Sequence, residues 1–487
     1  MTGSSDEVRN EELTTQSSVE ELAAEYGVKH AKLMWKIDVR IVPAICVLYL
    51  LAFLDRVNIA NANVYGMSTD IHLTNNQYNT ALAVFFVPYV IFEIPSNYMV
   101  KRFKPHTWLP FCMVCFGVVS IGQGFVKNFG QLIATRFLLG LFEAGMFPGC
   151  FYLLSMWYSR EEAQKRYSFF FSSTSLAGAF GGLIAYGVSH IDGRRGLASW
   201  RWLYIIEGSV TAFVAALLYF GVSDFPEDAK YLSDKERSFI QAKLALDSGD
   251  SSYQIPLSAR SIARVFKDWK VWLVGVMYFC PIIPAYGYAY FSPAIIKDLN
   301  YSAVQTQLRS IPPWVVSFGM SMITAVLSDR TRHRYGYTVF TGCIAIAGFI
   351  MLLADKKDVH VRYAALFLAS SGVYSFMPVV LCWTNLNFSG HHRRAVGTAW
   401  QVGFGNIGGI VATYSFLTKE APLYTKGVSL CFAFIAFGMV CNTVYLLGII
   451  QENKKKRNGT ADNKWLAMTE EERLTAGDLN PKFRYTY

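Results

Sequence analysis

Charged side chains are scarce in this sequence. Asp, Glu, Lys and Arg make up 16% of its 487 residues, whereas 53% are hydrophobic and 15% are aromatic. Soluble domains usually carry about 25% charged residues. This composition excludes an ordinary soluble protein and indicates a membrane protein.

The sequence also lacks the marks of a secreted, disulfide-bonded or metal-binding protein. Its first 38 residues are polar, with no short apolar core before a cleavage site, so we expect no cleavable signal peptide. The nine cysteines lie in or beside apolar segments, where a thiol acts as a small hydrophobic group. Cys112 and Cys115 have the spacing of a redox or zinc pair, but no second pair or histidine accompanies them. We therefore expect neither a disulfide framework nor a metal site.

Apolar windows long enough to cross a bilayer as helices recur along the whole chain. They lie at 39–62, 78–100, 107–126, 131–157, 168–190, 202–222, 271–296, 307–328, 338–354, 362–386, 395–417 and 428–450. The sequence thus predicts an all-α membrane protein with twelve transmembrane helices in two six-helix bundles. Secondary transporters with a substrate site between two halves have this layout.

The predicted division follows from these windows. It comprises a tail at 1–38, a first bundle at 39–222, a central loop at 223–270, a second bundle at 271–450 and a tail at 451–487. In the first tail, Ser18-Val19-Glu20-Glu21 has the form of a capping box. The lysines that follow, Lys29, Lys32 and Lys36, predict that this helix lies at the membrane interface.

Basic residues indicate the orientation, because an excess of Lys and Arg marks cytoplasmic loops. The net charge of +10 is thus better explained by such loops than by nucleic acid binding. Basic clusters recur in alternate connections, although Arg194-Arg195 and Lys356-Lys357 lie on the other side. We expect both termini in the cytoplasm and a glycosylated Asn300 outside, whereas the sequons at Asn387 and Asn458 face the cytosol.

Four ionisable residues interrupt the apolar windows of the first half. Asp55 and Arg56 lie past the middle of the first window, and Arg136 and Glu143 lie at a similar depth in the fourth. Each costs about 2.5–3.5 kcal/mol at the centre of a spanning helix, so such residues usually mark a substrate or proton path. Neighbours in a helix point about 100° apart, so Asp55 and Arg56 cannot both face the same target.

A buried carboxyl beside an arginine can couple a proton to an anion. Protonation of the carboxyl releases the arginine, which can then bind a substrate carboxylate. The alternative is a static ion-pair network that holds helices together, and Arg136 could instead reach the outer headgroups. Glu93 and Glu207 are weaker candidates, more often structural, although Glu207 could be a second proton site.

The second half offers aromatic and neutral polar groups rather than charges. Tyr286 on the seventh window, Tyr374 and Asn385 on the tenth and Gln401 on the eleventh form a candidate substrate lining, suited to a small, flat or aromatic carboxylate. An unpaired amide in hydrocarbon is costly, which favours Asn385 and Gln401. The alternative for each tyrosine is contact with lipid or with the interface.

Two loop segments repeat between the halves. Ser328-Asp329-Arg330-Thr331-Arg332-His333-Arg334 resembles the major facilitator loop signature, and Ser96-Asn97-Tyr98-Met99-Val100-Lys101-Arg102 is its counterpart without the usual aspartate. The gating candidates are Lys101, Arg102, Asp329 and Arg330. Gly403-Phe404-Gly405-Asn406-Ile407-Gly408 spells a dinucleotide fingerprint but lies inside an apolar window, so we interpret it as a stretch that lets helix backbones approach each other.

Further segments strengthen the family resemblance. They are Leu54–Ala62, Pro95-Ser96-Asn97, Arg136–Gly140 with Glu143-Ala144-Gly145 and Pro148-Gly149, Trp200–Gly208 and Asn480–Tyr485. Together they resemble the fungal allantoate permease branch of the anion:cation symporters, over nearly the whole chain. The resemblance implies transport of small carboxylates or vitamins with protons across the plasma membrane. It further implies that Arg56 contacts substrate, while Asp55 and Glu143 take protons.

The resulting hypothesis is proton-coupled uptake of a small organic anion, with nicotinate as the leading substrate. Pantothenate, biotin, allantoate or cysteine are alternatives, as is a non-transporting nutrient receptor. We expect a monomer with no cofactor other than the coupling proton, in the plasma membrane or else an internal membrane. No nucleophile–base or metal-ligand cluster lies within the apolar windows, which argues against an enzyme.

Overall fold

The structure is a computed structural model that describes residues 19–248, 259–389, 391–416, 420–459, 465–466, 468–469, 473, 477–481 and 483–487. Within these ranges the chain is almost entirely helical. The spans, numbered in chain order, are 1 (His30–Val57 with Ile59–Val64), 2 (Asn75–Phe103), 3 (Pro105–Gln123), 4 (Phe129–Glu143 with Met146–Trp157), 5 (Arg160–Val188), 6 (Ser199–Gly221), 7 (Trp269–Lys297), 8 (Ala303–Thr331), 9 (Arg334–Ala354), 10 (Val359–Asn387), 11 (His391–Ser415) and 12 (Thr425–Arg457).

The expected all-α architecture is confirmed, with one span less apolar than the others. Eleven helices among the described residues have both the length and the hydropathy of a membrane span, and span 11 is the exception. Span 11 has 25 residues, enough at about 1.5 Å per residue to cross the bilayer core. Its glycines and amides lower its mean hydropathy. This composition suits a helix that packs against other helices, here spans 2 and 7.

Local sequence signals set where several spans begin. The Thr74 hydroxyl accepts from the backbone N–H of Gln77, whose side chain reaches back to the Thr74 N–H, forming a capping box for span 2. The side-chain oxygens of Asn128 and Asp358 accept from backbone N–H groups at the starts of spans 4 and 10, with N···O distances of 3.0 and 2.8 Å. These caps satisfy N–H groups that would otherwise lack a partner at the helix start.

Two spans are interrupted close to the ionisable residues. Span 1 is divided at Asn58, directly after Arg56 and Val57, and span 4 is divided at Ala144-Gly145, directly after Glu143. A Cβ on Gly145 would lie 1.9 Å from the Ser96 hydroxyl oxygen of span 2, so only glycine permits this approach. Interrupted helices at mid-membrane are typical of transporter binding sites.

Each half of the chain packs as a bundle, and two main seams join the bundles. Spans 3 and 6 form the main contact within the first bundle, and spans 9 and 10 within the second. Spans 5 and 8 form one seam between bundles, and spans 2 and 11 form the other. A Cβ on Gly178 would lie 2.3 Å from the Trp314 ring, which shows how closely spans 5 and 8 approach.

The two faces of the molecule carry different connections. We call the face with residues 19–29, the connection between spans 6 and 7, and residues after 457 the terminal face, and the opposite one the distal face. The spans 6–7 connection contains helices Asp234–Ser248 and Ala259–Val265. Lys36 of span 1 binds Glu236 of this connection at 2.9 Å, which ties it to the first bundle.

The expected interfacial helix takes a different form. A helix covers 19–25 and ends in a turn at Gly27, whose φ is +65°, and span 1 begins at His30. Lys32 and Lys36 therefore belong to the first turns of span 1 rather than to a separate helix. The sequence pattern missed this break because Gly27 is the only breaker in an otherwise helical stretch.

The last residues dock on the terminal face of the second bundle. The buried Asp478 carboxylate binds Arg393 at the start of span 11, with an Nε–Oδ1 distance of 2.5 Å. Farther along, the backbone N–H of Thr486 donates to Asn387 of span 10 at 2.8 Å, and the N–H of Arg334 donates to the Tyr487 carbonyl at 2.9 Å. This segment thus joins the ends of spans 9, 10 and 11.

Candidate functional site

Arg56 and Glu143 form a buried ion pair where the two bundles meet. The Nε of Arg56 donates to Oε1 of Glu143 at 2.9 Å, and a terminal guanidinium nitrogen donates to the same oxygen. The other terminal nitrogen donates to the hydroxyl of Tyr286 on span 7. Both charged side chains are fully buried. One guanidinium therefore links span 1, span 4 and the second bundle.

Arg136 supports this pair from one side. Its guanidinium donates to the backbone carbonyl oxygen of Arg56 at 3.1 Å, and the side chain is fully buried. This placement contradicts the alternative in which Arg136 reaches the outer headgroups. Among the described residues, its Nε and one terminal nitrogen have no hydrogen-bond partner. Arg136 thus adds positive charge beside the Arg56–Glu143 pair.

Asp55 points away from this pair, as helix geometry requires of a neighbour of Arg56. Its Oδ1 accepts from the Ser120 hydroxyl of span 3 at 3.1 Å, so it faces the interior of the first bundle. Glu207 of span 6 lies close enough for an electrostatic interaction with Asp55, and it accepts from the Asn58 amide. The ionisable residues therefore form two groups, one at the bundle interface and one within the first bundle.

A small cavity lies beside the Arg56–Glu143 pair. It encloses about 20 Å³, roughly the room for one water molecule. Its walls come from both bundles and are mainly aromatic. The lining residues are Tyr49, Phe53, Tyr89, Phe147, Phe171, Thr174, Tyr278, Ile282, Ala285, Tyr286, Tyr374, Met377 and Asn406.

The aromatic side chains around the cavity contact the Arg56 guanidinium and one another. The Arg56 guanidinium carbon lies 4.9 Å from the centre of the Tyr89 ring, within the range of a cation–π interaction. The Tyr286 ring contacts Phe86 edge-on with centroids 4.8 Å apart, and the Tyr374 hydroxyl donates to the Ala285 carbonyl at 2.9 Å. Tyr286 and Tyr374, both predicted from the sequence, therefore do lie at the cavity.

Contacts between bundles occur on both sides of the cavity. Toward the distal face, Lys297 donates to the Val64 carbonyl at 3.0 Å. Toward the terminal face, Ser168 and Cys382 lie 3.7 Å apart, and Arg394 donates to the Tyr167 hydroxyl at 3.4 Å. In this conformation the cavity has room for about one water molecule and is closed on both sides by contacts between the bundles.

The predicted amides Asn385 and Gln401 lie elsewhere. Gln401 exchanges hydrogen bonds with Thr384 at 2.8 and 3.0 Å, and Asn385 donates to the Leu381 carbonyl at 2.8 Å and accepts from Thr398. They join span 10 to span 11, and neither lines the cavity. The cost of a buried amide is met here by neighbours on adjacent helices, which a single sequence does not reveal.

The gating candidates lie on the terminal face. Arg102 and Arg330 are exposed, and Asp329 lies 3.6 Å from Arg334 at the start of span 9. The side chain of Lys101 lies outside the described part of the chain. The structure therefore places an ion pair at the second copy of the loop signature.

Asn300 lies in the turn between spans 7 and 8 on the distal face. It is exposed and adopts a φ of +68°, a conformation that asparagine tolerates better than most residues. Ser302 of the same sequon accepts from the Gln305 N–H at 3.3 Å and caps span 8. The sequon is thus accessible on this face.

The sequence interpretation missed several residues at the cavity. Asn406 lies within the glycine-rich stretch that was assigned to helix packing, although the argument from buried amides applied to it equally well. Tyr49 and Phe53 could have been found from spacing, since they lie seven and three residues before Arg56 on one helical face. Within the described ranges, no three His, Cys, Asp or Glu side chains are grouped closely enough to hold a metal ion.

Comparisons with known proteins agree with this architecture. The family model for the Major Facilitator Superfamily matches residues 45–413. The High-affinity nicotinic acid transporter of Saccharomyces cerevisiae is 32% identical over 459 residues, covering 94% of this chain and 85% of that protein. The Major facilitator-type transporter hxnP of Emericella nidulans is 30% identical over 466 residues, covering 92% of each chain.

The fold also matches solved structures at low sequence identity. The proton:xylose symporter XylE aligns with a TM-score of 0.64 and 14% identity, covering 83% of this chain and 95% of that one. The chain therefore belongs to the major facilitator superfamily, and it is a multi-pass membrane transporter rather than an enzyme.

Proposed function

We propose that this transporter takes up a small organic anion together with a proton, by alternating access, and that nicotinate is its leading substrate. The observation that carries the proposal is the buried Arg56–Glu143 pair beside an aromatic cavity between the bundles. An arginine there can bind a carboxylate, and a carboxyl there can bind a proton. The pair therefore has the two groups that proton–anion symport requires.

Competition for Arg56 supplies the coupling. Arg56 stays charged at all relevant pH values, and its planar fork matches a carboxylate. While Glu143 is ionised, it occupies this fork as the internal counter-ion. When Glu143 is protonated, it no longer competes, and the carboxylate of the substrate can take its place. Proton and anion thus bind cooperatively.

The aromatic lining favours a flat substrate. Tyr49, Tyr89, Tyr286 and Tyr374 present ring surfaces from both bundles, against which an aromatic ring can stack. Asn406 adds an amide that can donate to a ring nitrogen. These features, with the nicotinic acid transporter among the relatives, support nicotinate over a branched or bulky carboxylate.

Asp55 and Glu207 are proposed as further proton sites that do not touch substrate. Both are buried, and among the described residues Oδ2 of Asp55 and Oε1 of Glu207 have no hydrogen-bond partner. Two carboxyls this close are costly to ionise together. A proton held there would neutralise the interior of the first bundle while its helices move.

The proposed orientation places the terminal face in the cytoplasm, with the protein acting as a monomer in the plasma membrane. Basic residues of the terminal-face connections support this orientation, as does the accessible sequon at Asn300 on the distal face. Substrate and proton would enter from the distal face. They would leave after the terminal halves of the bundles separate.

Uptake of labelled nicotinate tests the proposal. Cells that express the protein should accumulate nicotinate faster at about pH 5 than at about pH 8. Excess unlabelled nicotinate should block this uptake more strongly than pantothenate, biotin, allantoate or cysteine does. Uptake that does not depend on pH for any of these compounds would contradict symport, and binding without uptake would favour a receptor.

A further inference from the structure

Glu93 is a buried carboxyl that has no role in the proton–anion coupling proposed above. It lies on span 2, one helical turn from Tyr89 of the cavity wall and on the terminal-face side of it. The side chain is 4% exposed, and neither carboxylate oxygen has a hydrogen-bond partner among the described residues. A structural carboxyl would be paired, so this one calls for a functional explanation.

Glu93 belongs to the seam between spans 2 and 11. Asn79, Phe86 and Glu93 recur every seven residues along span 2 and face span 11 or Phe416, the residue directly after it. The Asn79 amide donates to the Phe416 carbonyl at 3.4 Å, a Cβ on Gly409 would lie 2.2 Å from the Phe86 ring, and a Cβ on Gly403 would lie 3.7 Å from Glu93 Oε2. Glu93 is therefore covered by the second bundle only while this seam is closed.

The charged and titratable groups that act on Glu93 come from three spans. They are Arg56 of span 1, Tyr89 of span 2 itself, and Tyr278 and Tyr286 of span 7. On span 11, Gly403 lies against Glu93 and provides no charged or titratable side chain. Arg56 already has Glu143 as its partner, so Glu93 has no counter-ion of its own. A buried carboxyl without a counter-ion is held in its neutral, protonated form.

We propose that Glu93 is the proton-exit residue of the transport cycle: it holds a proton while spans 2 and 11 are in contact and releases it toward the terminal face when they separate. This inference rests on the proposed proton symport. On separation, water reaches Glu93 and takes its proton. The carboxylate left behind then accepts the proton of Glu143, whose own carboxylate returns to Arg56. Closing the seam buries the newly protonated Glu93, so one proton leaves per cycle.

The test separates net uptake from exchange in proteoliposomes with labelled nicotinate. In Glu93→Gln, net uptake should fall about 10- to 100-fold, because an amide cannot relay a proton. Exchange of internal for external nicotinate needs no proton release and should stay within about twofold of wild type. The pH dependence of nicotinate affinity should persist, because Glu143 is unchanged. Glu93→Asp should restore most net uptake.

Glu227→Gln is the matched control, since Glu227 is exposed in the connection after span 6. Unchanged net uptake in Glu93→Gln would overturn the proposal, and an equal loss of exchange would show a structural role instead. If uptake by the wild-type protein does not depend on pH, the symport proposal fails. Infrared difference spectra then test separately whether the Glu93 carboxyl is protonated. The purified protein should show a protonated-carboxyl band that is lost in Glu93→Gln and kept in the control. A spectrum without that band would overturn the assignment.

Discussion

Replacing Glu143 with glutamine should separate substrate binding from protonation. In the structure, one carboxylate oxygen of Glu143 accepts two N–H groups of Arg56, with the Nε–Oε1 distance at 2.9 Å. Glutamine keeps the size and one acceptor oxygen but removes the negative charge. The substrate carboxylate then meets no ionised competitor for Arg56 at any pH.

The expected size of the effect follows from this contact. A hydrogen bond to a charged group contributes about 1.5–3 kcal/mol, and each 1.4 kcal/mol is about a tenfold change in affinity. Nicotinate should therefore bind Glu143→Gln about 10- to 100-fold more tightly than wild type at about pH 8. In wild type the affinity should fall about tenfold per pH unit once Glu143 is ionised, whereas the variant should show a flat profile.

Two assays measure the affinity for nicotinate and its transport. Binding of labelled nicotinate to purified protein between about pH 5 and pH 8 gives the affinity profile, and proteoliposomes with an imposed pH gradient give accumulation and exchange. Glu143→Gln should exchange nicotinate but not accumulate it, while the control Glu227→Gln should do both. Normal accumulation by Glu143→Gln, or an affinity that still falls with pH as in wild type, would refute the coupling scheme.

Three further changes probe other parts of the molecule. Asn406→Leu should reduce the preference for nicotinate over benzoate about two- to tenfold, because it removes one hydrogen bond to the ring nitrogen; equal preference ratios in competition assays would exclude that contact. Asp478→Asn should destabilise the docked last residues by about 1.5–3 kcal/mol, because Arg393 loses one of its two carboxylate partners and keeps Asp268, which a lowered unfolding temperature would show. Burial alone would raise the pKa of Asp478, but Arg393 and Lys270 hold it below its usual range. Because the folded pKa is the lower one, this stabilisation should persist above about pH 4 and be lost as the pH falls further. Asn300→Gln should abolish a glycosidase-sensitive shift on gels if the distal face is extracellular, and a wild-type protein without that shift would contradict the orientation.

The fold could be predicted from the sequence because apolar length determines membrane spans. Even so, pattern alone placed the start of span 1 at residue 39 rather than at His30, since Lys32 and Lys36 interrupt the apolar window. Helices extend past the bilayer core, and hydropathy does not record that extension. The docking of Asp478 and Thr486 on the second bundle was also missed, because those contacts join residues far apart in the chain.

The site could be predicted only in part, for a related reason. A charge in an apolar window is informative by itself, so Arg56 and Glu143 were found. Amides are less informative, because Gln401 is satisfied by Thr384 whereas Asn406 lines the cavity, and the two look alike in sequence. Glu93 was interpreted as structural because a single sequence cannot show that its partner position on span 11 is a glycine.

Proton uptake on substrate binding tests the central claim most directly. Calorimetry of nicotinate binding to the purified protein, in buffers of different ionisation enthalpy, gives the number of protons taken up per anion. At a pH high enough for Glu143 to be ionised beside Arg56, we expect about one proton per nicotinate in wild type and none in Glu143→Gln. Binding of nicotinate by wild type with no proton uptake would contradict the account.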